Sequence, residues 1–428
     1  MRIYQKEEIN SYLESFYDRR KSTSDDIREK VKTVIEDIRL NGDKAVKKYT
    51  KLFDNVDLEC LEVSEDEIEN ATIDKDLETA LLKAKDNIYA FHENELERSW
   101  DIAREDGSKF GIRVYGIERV GVYVPGGSAP LPSSVLMNII PAKVAGVKEI
   151  IMCTPPKKDG SVDPVILRAA KIAGADRIFK IGGAQAIAAM AYGTETVPRV
   201  FKITGPGNAY VASAKSIVFG DVGIDMIAGP SEILIVGDEK AKADYIAADL
   251  LSQAEHDAMA ASILITTSME LANEVKDKVN KKLQALERKE IAKESIQNNG
   301  AIIVVEDIND AAKISNEIAP EHLELLLDER TLNDEVINMF SNAGAIFLGE
   351  FSPEPMGDYF CGSNHVLPTG GTATFSSPLG VWDFVKRTSV IKYSKEGFKK
   401  DSDYVHALAM AEGLTAHAES VKSRCKDE

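Results

Sequence analysis

Cysteine is scarce in this chain, which contains four among its 428 residues. Cys60, Cys153, Cys361 and Cys425 lie far apart and form no C-x-x-C pair, so they provide no zinc site of paired thiolates. Such sparse use of cysteine is typical of a reducing compartment. The first residues are charged and lack the apolar core of a signal peptide, so the sequence predicts a cytoplasmic protein.

Long apolar runs and an excess of basic charge are also missing. Lysine, glycine or proline interrupts each apolar run before it reaches the roughly 18 residues that a membrane span needs, so no transmembrane helix is predicted. Lysine and arginine number 52 against 70 aspartates and glutamates, which gives a formal net charge of −18. That sign argues against nucleic acid or an anionic membrane as a partner.

Histidine is scarce too, with six in the chain. Because paired cysteines are missing, an acid-base or metal site has to draw on these histidines. Four of them occur in polar segments rich in glycine or carboxylates, namely His256, His322, His365 and His417. We interpret His92, which lies among glutamates, as a surface residue, and His406 as a helix-surface or packing residue.

A regular alternation of strands and helices begins near Glu118. Apolar, strand-like segments lead into helix-like segments, first over 119–218 and again over 233–347. This alternation predicts parallel sheets with helices on both faces. The sequence therefore predicts an α/β protein with two Rossmann-like domains, each an incomplete doubly wound sheet.

Three strand-to-helix connections of the first pattern contain glycine, at 126–127, 182–183 and 205–207. Right-handed crossovers place such connections along one edge of a sheet, where backbone and helix N-termini can approach an anion such as a pyrophosphate. None of them reads G-x-G-x-x-G, and a single glycine is often simple turn chemistry. The three together favour a nucleotide without identifying it.

The segment 252–257 offers an amide, two carboxylates and an imidazole within six residues. Gln253 and His256 are three apart, so they share one face if the segment is helical. They could belong to a metal site or to a solvated, polar helix end, and the stretch alone favours the polar helix end.

Two further segments carry candidate chemistry. Glu321 and His322 precede an apolar strand and suit acid-base catalysis, and Asp358 lies in a long irregular segment, 351–378, of a kind that is often functional. One glutamine oxygen, two histidine nitrogens and one aspartate oxygen would suit zinc. Spacing alone cannot show that these residues belong to one site. His322 could be a core or capping residue, Asp358 an Asx-turn residue and His417 a solvated helix residue.

Taken together, these segments resemble the histidinol dehydrogenase family. They follow the family order over roughly residues 20 to 420 and depart from it at none of the positions named here. The matching segments are RVGVYVPGG at 119–127, GGAQA at 182–186, TGPGN at 204–208, AGPSE at 228–232, QAEHD at 253–257, PEHL at 320–323, GDY at 357–359, NHVLPT at 364–369 and EGL at 412–414, followed by His417.

The resemblance implies an enzyme that uses zinc, one ion per subunit, and NAD to oxidise L-histidinol to L-histidine through the aldehyde. It implies that Glu321 activates water and that His322 is the general base. It implies four metal ligands, which are Gln253, His256, Asp358 and His417. These ligands and His322 would also contact substrate, together with Ser231, Glu354, His365 and Glu412. The implied NAD contacts are Tyr123, Gln185 and Asn208.

The resemblance also implies a homodimer in which the tail, with Glu412 and His417, completes the partner's site. We accordingly expect a zinc-binding and catalytic α/β domain made of residues 20–122 and 233–379. An NAD-binding α/β domain, 123–232, would be inserted in it. Residues 1–19 and 380–428 would form a helical arm and tail that make dimer contacts.

Two alternatives to histidinol oxidation remain open. The first is a related zinc and NAD dehydrogenase of another small amino alcohol or diol, although Glu354 and Glu412 favour a substrate that carries an amine. The second is a catalytically silent binding protein, against which the Glu321 and His322 pair argues. Cys361 lies inside the segment around Asp358 and is assigned no role.

Overall fold

The computed structural model describes residues 1–20, 25–126 and 130–425, without the side chains of 18–20, so Gly127 of the first glycine loop lies outside the described residues. The strands are β1 (Arg2–Gln5), β2 (Trp100–Ala103), β3 (Lys109–Gly116), β4 (Arg119–Tyr123), β5 (Glu149–Thr154), β6 (Arg177–Lys180), β7 (Lys202–Thr204), β8 (Gly223–Ile224), β9 (Glu232–Gly237), β10 (Ala261–Thr266), β11 (Ala301–Val304), β12 (His322–Leu326), β13 (Ala345–Leu348) and β14 (Val385–Lys392). The helices are α1 (Glu7–Arg20), α2 (Asp25–Asp54), α3 (Glu65–Glu69), α4 (Lys75–Glu93), α5 (Pro132–Val144), α6 (Pro164–Ala173), α7 (Gly183–Tyr192), α8 (Ala209–Val218), α9 (Ala243–Ala254), α10 (Met269–Leu283), α11 (Lys289–Asn299), α12 (Ile308–Ile318), α13 (Asp334–Ile337), α14 (Glu354–Tyr359), α15 (Lys395–Ala411) and α16 (Thr415–Arg424).

The chain divides into two compact units. The first consists of Met1–Glu95 and Ile117–Phe384, and the second of Leu96–Gly116 and Val385–Glu428. The first unit contains a six-stranded sheet in the order β1-β11-β10-β9-β12-β13 and a five-stranded sheet in the order β6-β5-β4-β7-β8. All the strand pairs of these two sheets are parallel, which confirms the predicted α/β class.

The six-stranded sheet is buried on both faces, as parallel sheets usually are. Strand β9 is an unbroken apolar run from Ile233 to Val236, and its side chains alternate between two separate hydrophobic cores. Register pairs His322 with Ile233 on one side and with Ala345 on the other. The amino ends of β9, β12 and β13 therefore meet at one sheet edge, and that edge carries the Glu321 and His322 pair.

The five-stranded sheet presents its carboxyl ends to the three glycine-containing connections. Helix α2 packs against α7 and α8 on this sheet, through an apolar stripe that includes Val31, Ile35 and Val46. Residues 25–54 therefore contribute to the core of the five-stranded sheet, whereas we expected 20–122 to join 233–379. The periodicity of α2 identifies its buried face, but it carries no information about which sheet that face covers.

The N-terminal segment also differs from the expected helical arm. Arg2–Gln5 forms β1, which pairs in parallel with β11, and Tyr12, Leu13 and Phe16 of α1 enter the core of the six-stranded sheet. Burying one such side chain contributes roughly 1.5–3 kcal/mol. The short strand was missed because its alternating residues are too few to distinguish from a charged helix start.

The second unit contains a three-stranded antiparallel sheet, in the order β14-β3-β2, and the helices α15 and α16, which pack on each other. The tail was predicted to be helical, which holds for these two helices but not for Val385–Lys392. Val385–Lys392 is strand β14, which pairs antiparallel with β3 over eight residues. Arg387 of β14 forms an ion pair with Glu97, which precedes β2.

His92 is buried, so the interpretation as a surface residue was wrong. It is 0% exposed, and its Nδ1 lies 2.7 Å from Glu95 Oε2. The buried face of α4 consists of Leu81, Ala84, Ile88 and His92, which are three or four residues apart. This helical spacing places His92 on the core face despite the glutamates beside it in sequence.

Within the described residues, none of the helices has both the length and the apolar character of a membrane span.

Candidate active site

Glu321 and His322 stand side by side at the amino end of β12, and both are buried. The backbone N–H of Glu232 donates to Glu321 Oε2 at 3.0 Å, while the carbonyl oxygen of the same residue lies 3.1 Å from His322 Nδ1. One residue of β9 thus holds both side chains. The carboxylate and the imidazole are themselves 3.8 Å apart.

Helix α14 brings two carboxylates to this pair from a segment expected to be irregular. Glu354 is buried and Asp358 is half-buried, and they lie four residues apart, so they share one helix face. Asp358 Oδ1 is 3.6 Å from His322 Nε2. One atom each of His322, Glu354 and Asp358 lies within 4.8 Å of the others, so these three side chains could hold a metal ion.

The C-terminal end of α9 supplies the predicted ligands of segment 252–257. Gln253 is 1% exposed, and among the described residues its Oε1 has no hydrogen-bond partner. His256 follows the end of α9 and is exposed, and the charges of Asp358 and His322 act on its imidazole. The end of α9 therefore places Gln253 in the interior and His256 at the surface.

Burial and mutual repulsion perturb the carboxyl groups of this site. Burial raises the pKa of Glu321 to about 7 and that of Glu354 to about 8. Burial also raises the pKa of Asp358, but its interaction with His322 outweighs that effect and lowers the pKa below its usual value.

Two effects act on the pKa of His322 in opposite directions. Burial lowers this pKa, whereas the charges of Glu321, Asp358 and Glu354 raise it, and the net value is about 10. A divalent cation bound to Asp358 would offset part of this negative charge and lower the pKa of His322 towards the range of a general base.

The long segment after α14 places His365 beside this cluster. Its Nδ1 lies 2.9 Å from the carbonyl oxygen of Asp358, and its Nε2 lies 3.5 Å from Ser134 Oγ on α5. Burial lowers the pKa of His365. Further along, Thr369 Oγ1 accepts from the N–H of Gly229 at 2.6 Å, two residues before the predicted substrate contact Ser231.

The donor set of this site fits a zinc ion. Gln253 supplies a buried oxygen that has no hydrogen-bond partner among the described residues. Asp358 supplies a carboxylate and His256 an imidazole, and zinc accepts all three groups. The cluster within 4.8 Å shares only Asp358 with the four predicted ligands. His417 lies in α16 of the second unit and is exposed, as is Glu412 at the end of α15.

A cavity of about 1390 Å³ lies at the glycine-bearing edge of the five-stranded sheet, and all three predicted NAD contacts line it. Tyr123 Oη accepts from the N–H of Gly183 at 3.0 Å. Gln185 is buried, and its Nε2 lies 3.4 Å from Asp54 Oδ2. Its Oε1 has no hydrogen-bond partner in the described ranges, so a ligand with N–H or O–H donors, such as NAD, fits the cavity.

Asn208, the third predicted NAD contact, caps helix α8. Its side-chain oxygen accepts from the N–H groups of Tyr210 and Val211 at 3.1 and 3.2 Å. The amide nitrogen of Asn208 remains to donate to a ligand.

Two carboxyl groups beside the cluster, a buried one on Glu324 and a half-buried one on Asp249, were missed in the sequence. Glu324 Oε1 accepts from the N–H of Glu354 at 2.9 Å, and Asp249 on α9 interacts with the Glu324 side chain. Burial raises the pKa of Glu324 to about 8 and that of Asp249 to about 6. The sequence contains one sign of this pair, since a glutamate inside the apolar strand LELLL would be costly without a partner.

Comparisons with known proteins show which family the chain belongs to. The family model described as "Histidinol dehydrogenase" matches residues 17–425. Curated histidinol dehydrogenases from Clostridium acetobutylicum and Aquifex aeolicus are 52% and 51% identical to this chain. The first alignment covers 97% of this chain and 96% of the relative, and the second 98% and 97%.

A solved structure extends the likeness to three dimensions. The crystal structure of histidinol dehydrogenase from Elizabethkingia anophelis is 40% identical in sequence and has a TM-score of 0.93, covering 100% of this chain and 98% of that one. The family model, the curated relatives and this structure all span nearly the whole chain. The chain therefore belongs to the histidinol dehydrogenase family, a family of oxidoreductases.

Proposed function

We propose that this chain oxidises L-histidinol to L-histidine through L-histidinal, the last steps of histidine biosynthesis, with zinc and NAD. The observation that carries the proposal is the buried Glu321 and His322 pair, held by the backbone of Glu232 and facing Asp358. A protein that only binds a ligand has no need of such a Glu-His pair.

His322 acts as the general base in this proposal. Its Nδ1 donates to the carbonyl of Glu232, so Nε2 is the nitrogen that accepts the proton of the alcohol and later of the aldehyde hydrate. Glu321 takes a proton from the water that attacks the aldehyde carbon. One of its oxygens is held by the N–H of Glu232, which leaves the other for the water.

Zinc would be held by Gln253, His256 and Asp358, with His417 of the partner subunit as the fourth ligand of a homodimer. When bound, it supplies an anchor for the imidazole and amine of the substrate. NAD would lie in the cavity beside Tyr123, Gln185 and Asn208 and supplies the hydride acceptor, with two NAD reduced in turn for each histidine. Holding the carbinol carbon in line is then the main task of the protein.

The charges of the predicted substrate contacts indicate the substrate class. Glu354 and the partner's Glu412 are acidic residues, which suit an ammonium group better than a carboxylate or sulfonate. A bound ammonium group would favour the ionised form of Glu354, whose pKa burial raises to about 8. His365 and Ser231 complete the set with neutral hydrogen-bonding groups. An amino alcohol such as L-histidinol therefore suits the site better than an uncharged diol.

A substrate panel tests this proposal directly. Purified protein is assayed for NADH formation with L-histidinol, with other small amino alcohols and with diols of similar size. We expect histidinol to give the highest kcat/KM. Negligible turnover of histidinol together with turnover of another amino alcohol or diol would replace this proposal by the related-dehydrogenase alternative.

A further inference from the structure

A buried ion pair holds the third glycine connection, and the proposed chemistry does not use it. Lys215 lies on α8 and Asp225 lies just after β8. Their side chains are only 2% and 1% exposed, and the two charged groups are in contact. Such complete burial of a lysine and an aspartate is rare unless the two are paired.

Both members of the pair bind the same residue of the loop. The N–H of Gly205 donates to Asp225 Oδ2 at 2.9 Å, and the carbonyl oxygen of Gly205 accepts from Lys215 Nζ at 2.9 Å. The two backbone polar groups of Gly205 are therefore both satisfied by ionised side chains, which form stronger hydrogen bonds than neutral groups do.

Gly205 is held in a position that other residues could not adopt. Its φ is 114°, and a β-carbon there would overlap the carbonyl oxygen of Tyr123. The loop thus runs directly against the end of β4, which carries one predicted NAD contact. Asn208, three residues later, is another predicted NAD contact, and its side-chain oxygen caps α8.

Stability alone is a weak reason for such a pair. Removing two charges from water costs free energy that their attraction only partly returns, so apolar residues of similar volume are often as stabilising. What apolar residues cannot do is bind the N–H and the carbonyl of Gly205. The ion pair therefore fixes the geometry of the loop at Gly205.

We propose that Lys215 and Asp225 are positioning residues for NAD, which fix the backbone of Gly205 and thereby the place of Asn208 in the cavity. This inference rests on the proposed use of NAD. Neither side chain touches the dinucleotide in this account. The pair acts on NAD affinity through the loop and leaves the metal and histidinol sites unchanged.

The first test uses the double variant Lys215→Met/Asp225→Leu, which replaces the pair by apolar side chains. NADH and NAD binding are measured by fluorescence titration, with zinc content and Tm determined on the same samples. Removing charge-assisted hydrogen bonds predicts a Kd for NAD raised by about tenfold or more. KM for histidinol and zinc content are expected to stay as in the wild type.

Arg177→Met/Glu62→Leu is the matched control, because this ion pair lies at the opposite edge of the same sheet, where β6 begins. It is expected to leave the Kd for NAD unchanged. A double variant of Lys215 and Asp225 that folds and binds NAD as the wild type does would overturn the positioning role alone. A wild-type protein that binds no NAD would overturn this inference and the proposed cofactor together.

Single variants keep the test decisive if the double variant does not fold. Asp225→Asn retains an oxygen that can accept from Gly205, whereas Asp225→Ala does not. We expect Asp225→Asn to recover most of the NAD affinity that Asp225→Ala loses, with histidinol KM equal in both. Equal NAD affinity in the two variants would contradict the positioning role.

Discussion

The imidazole Nδ1 of His322 lies 3.1 Å from the carbonyl oxygen of Glu232. A carbonyl oxygen can only accept a hydrogen bond, so Nδ1 carries the proton and Nε2 is the nitrogen that faces Asp358. Parallel pairing of β12 with β9 sets this contact, since His322 pairs with the residue after Glu232. The orientation of the candidate base therefore depends on sheet register rather than on a loop.

Substitution of His322 by glutamine is expected to reduce kcat by about 10²- to 10⁴-fold, the usual contribution of a general base. KM for histidinol should change much less, because Glu354 and Asp358 remain in the site. Steady-state kinetics at saturating NAD separate the two constants.

Cys361→Ala is the control for the His322 variant, because this exposed thiol lies close in sequence to Asp358. Among the described residues, the one side chain that it hydrogen-bonds is Ser363, at 2.9 Å. The Cys361 variant should keep substantial activity. A loss as large as that of the His322 variant would show that the thiol has a role in the reaction.

Two substitutions of Glu324 separate its hydrogen bond to α14 from its acidic group. Glu324→Leu leaves the N–H of Glu354 without an acceptor, which costs roughly 1–3 kcal/mol for a buried donor. Because that N–H belongs to the first residue of α14, we also expect weaker zinc binding at Asp358. Glu324→Gln retains an oxygen acceptor and should bind zinc nearly as the wild type does. Similar zinc content in the two variants would mean that this hydrogen bond does not position α14.

The carboxyl group of Asp54 gives a pH dependence that is independent of the metal site. Asp54 lines the cavity beside Tyr123 and Gln185, and burial raises its pKa from 3.8 to about 6. A raised carboxyl pKa means that the unfolded chain loses this proton first, so stability falls as pH rises from about 4 to 6. Asp54→Asn removes that contribution. Its Tm relative to the wild type should therefore be higher at pH 7 than at pH 4, and a difference that does not change with pH would contradict the shift.

Mixed dimers test whether the tail completes the partner's site. Variants His322→Ala and His417→Ala are each expected to be inactive as homodimers. In a heterodimer of the two, one site receives both substitutions and the other receives neither. Random reassociation of equal amounts should restore about a quarter of the wild-type activity, because half of the dimers contain one intact site. No recovery, with heterodimers present, would place His417 in its own subunit's site or outside any site.

Most strand and helix positions from residue 119 to residue 347 were predictable, because long apolar strands and helical periodicity alternate there. Helix α11 and the two-residue strand β8 were not predicted. The placement of α2 was not, since an amphipathic stripe is the same whichever sheet covers it. Helix α14 was missed because Pro355 and Gly357 are typical of loops. Its helical turn is fixed by the tertiary contact between Glu354 and Glu324, which the local sequence does not encode.

The site residues show the same division. Glu321 and His322 were recognisable as a pair because they are adjacent in sequence. Glu324 and Asp249 are 75 positions apart, so that only folding brings them together. The resemblance to a family supplied the joint membership of Gln253, His256 and Asp358, which spacing alone had left open.

The most direct measurement of the central claim follows zinc and activity on the same protein. Zinc is removed with a chelator, and metal content, NADH formed and histidine formed are determined before removal, after removal and after zinc is restored. We expect two NADH per histidine, loss of both products in proportion to the zinc removed, and their return with zinc. Full turnover of histidinol after complete zinc removal would contradict it.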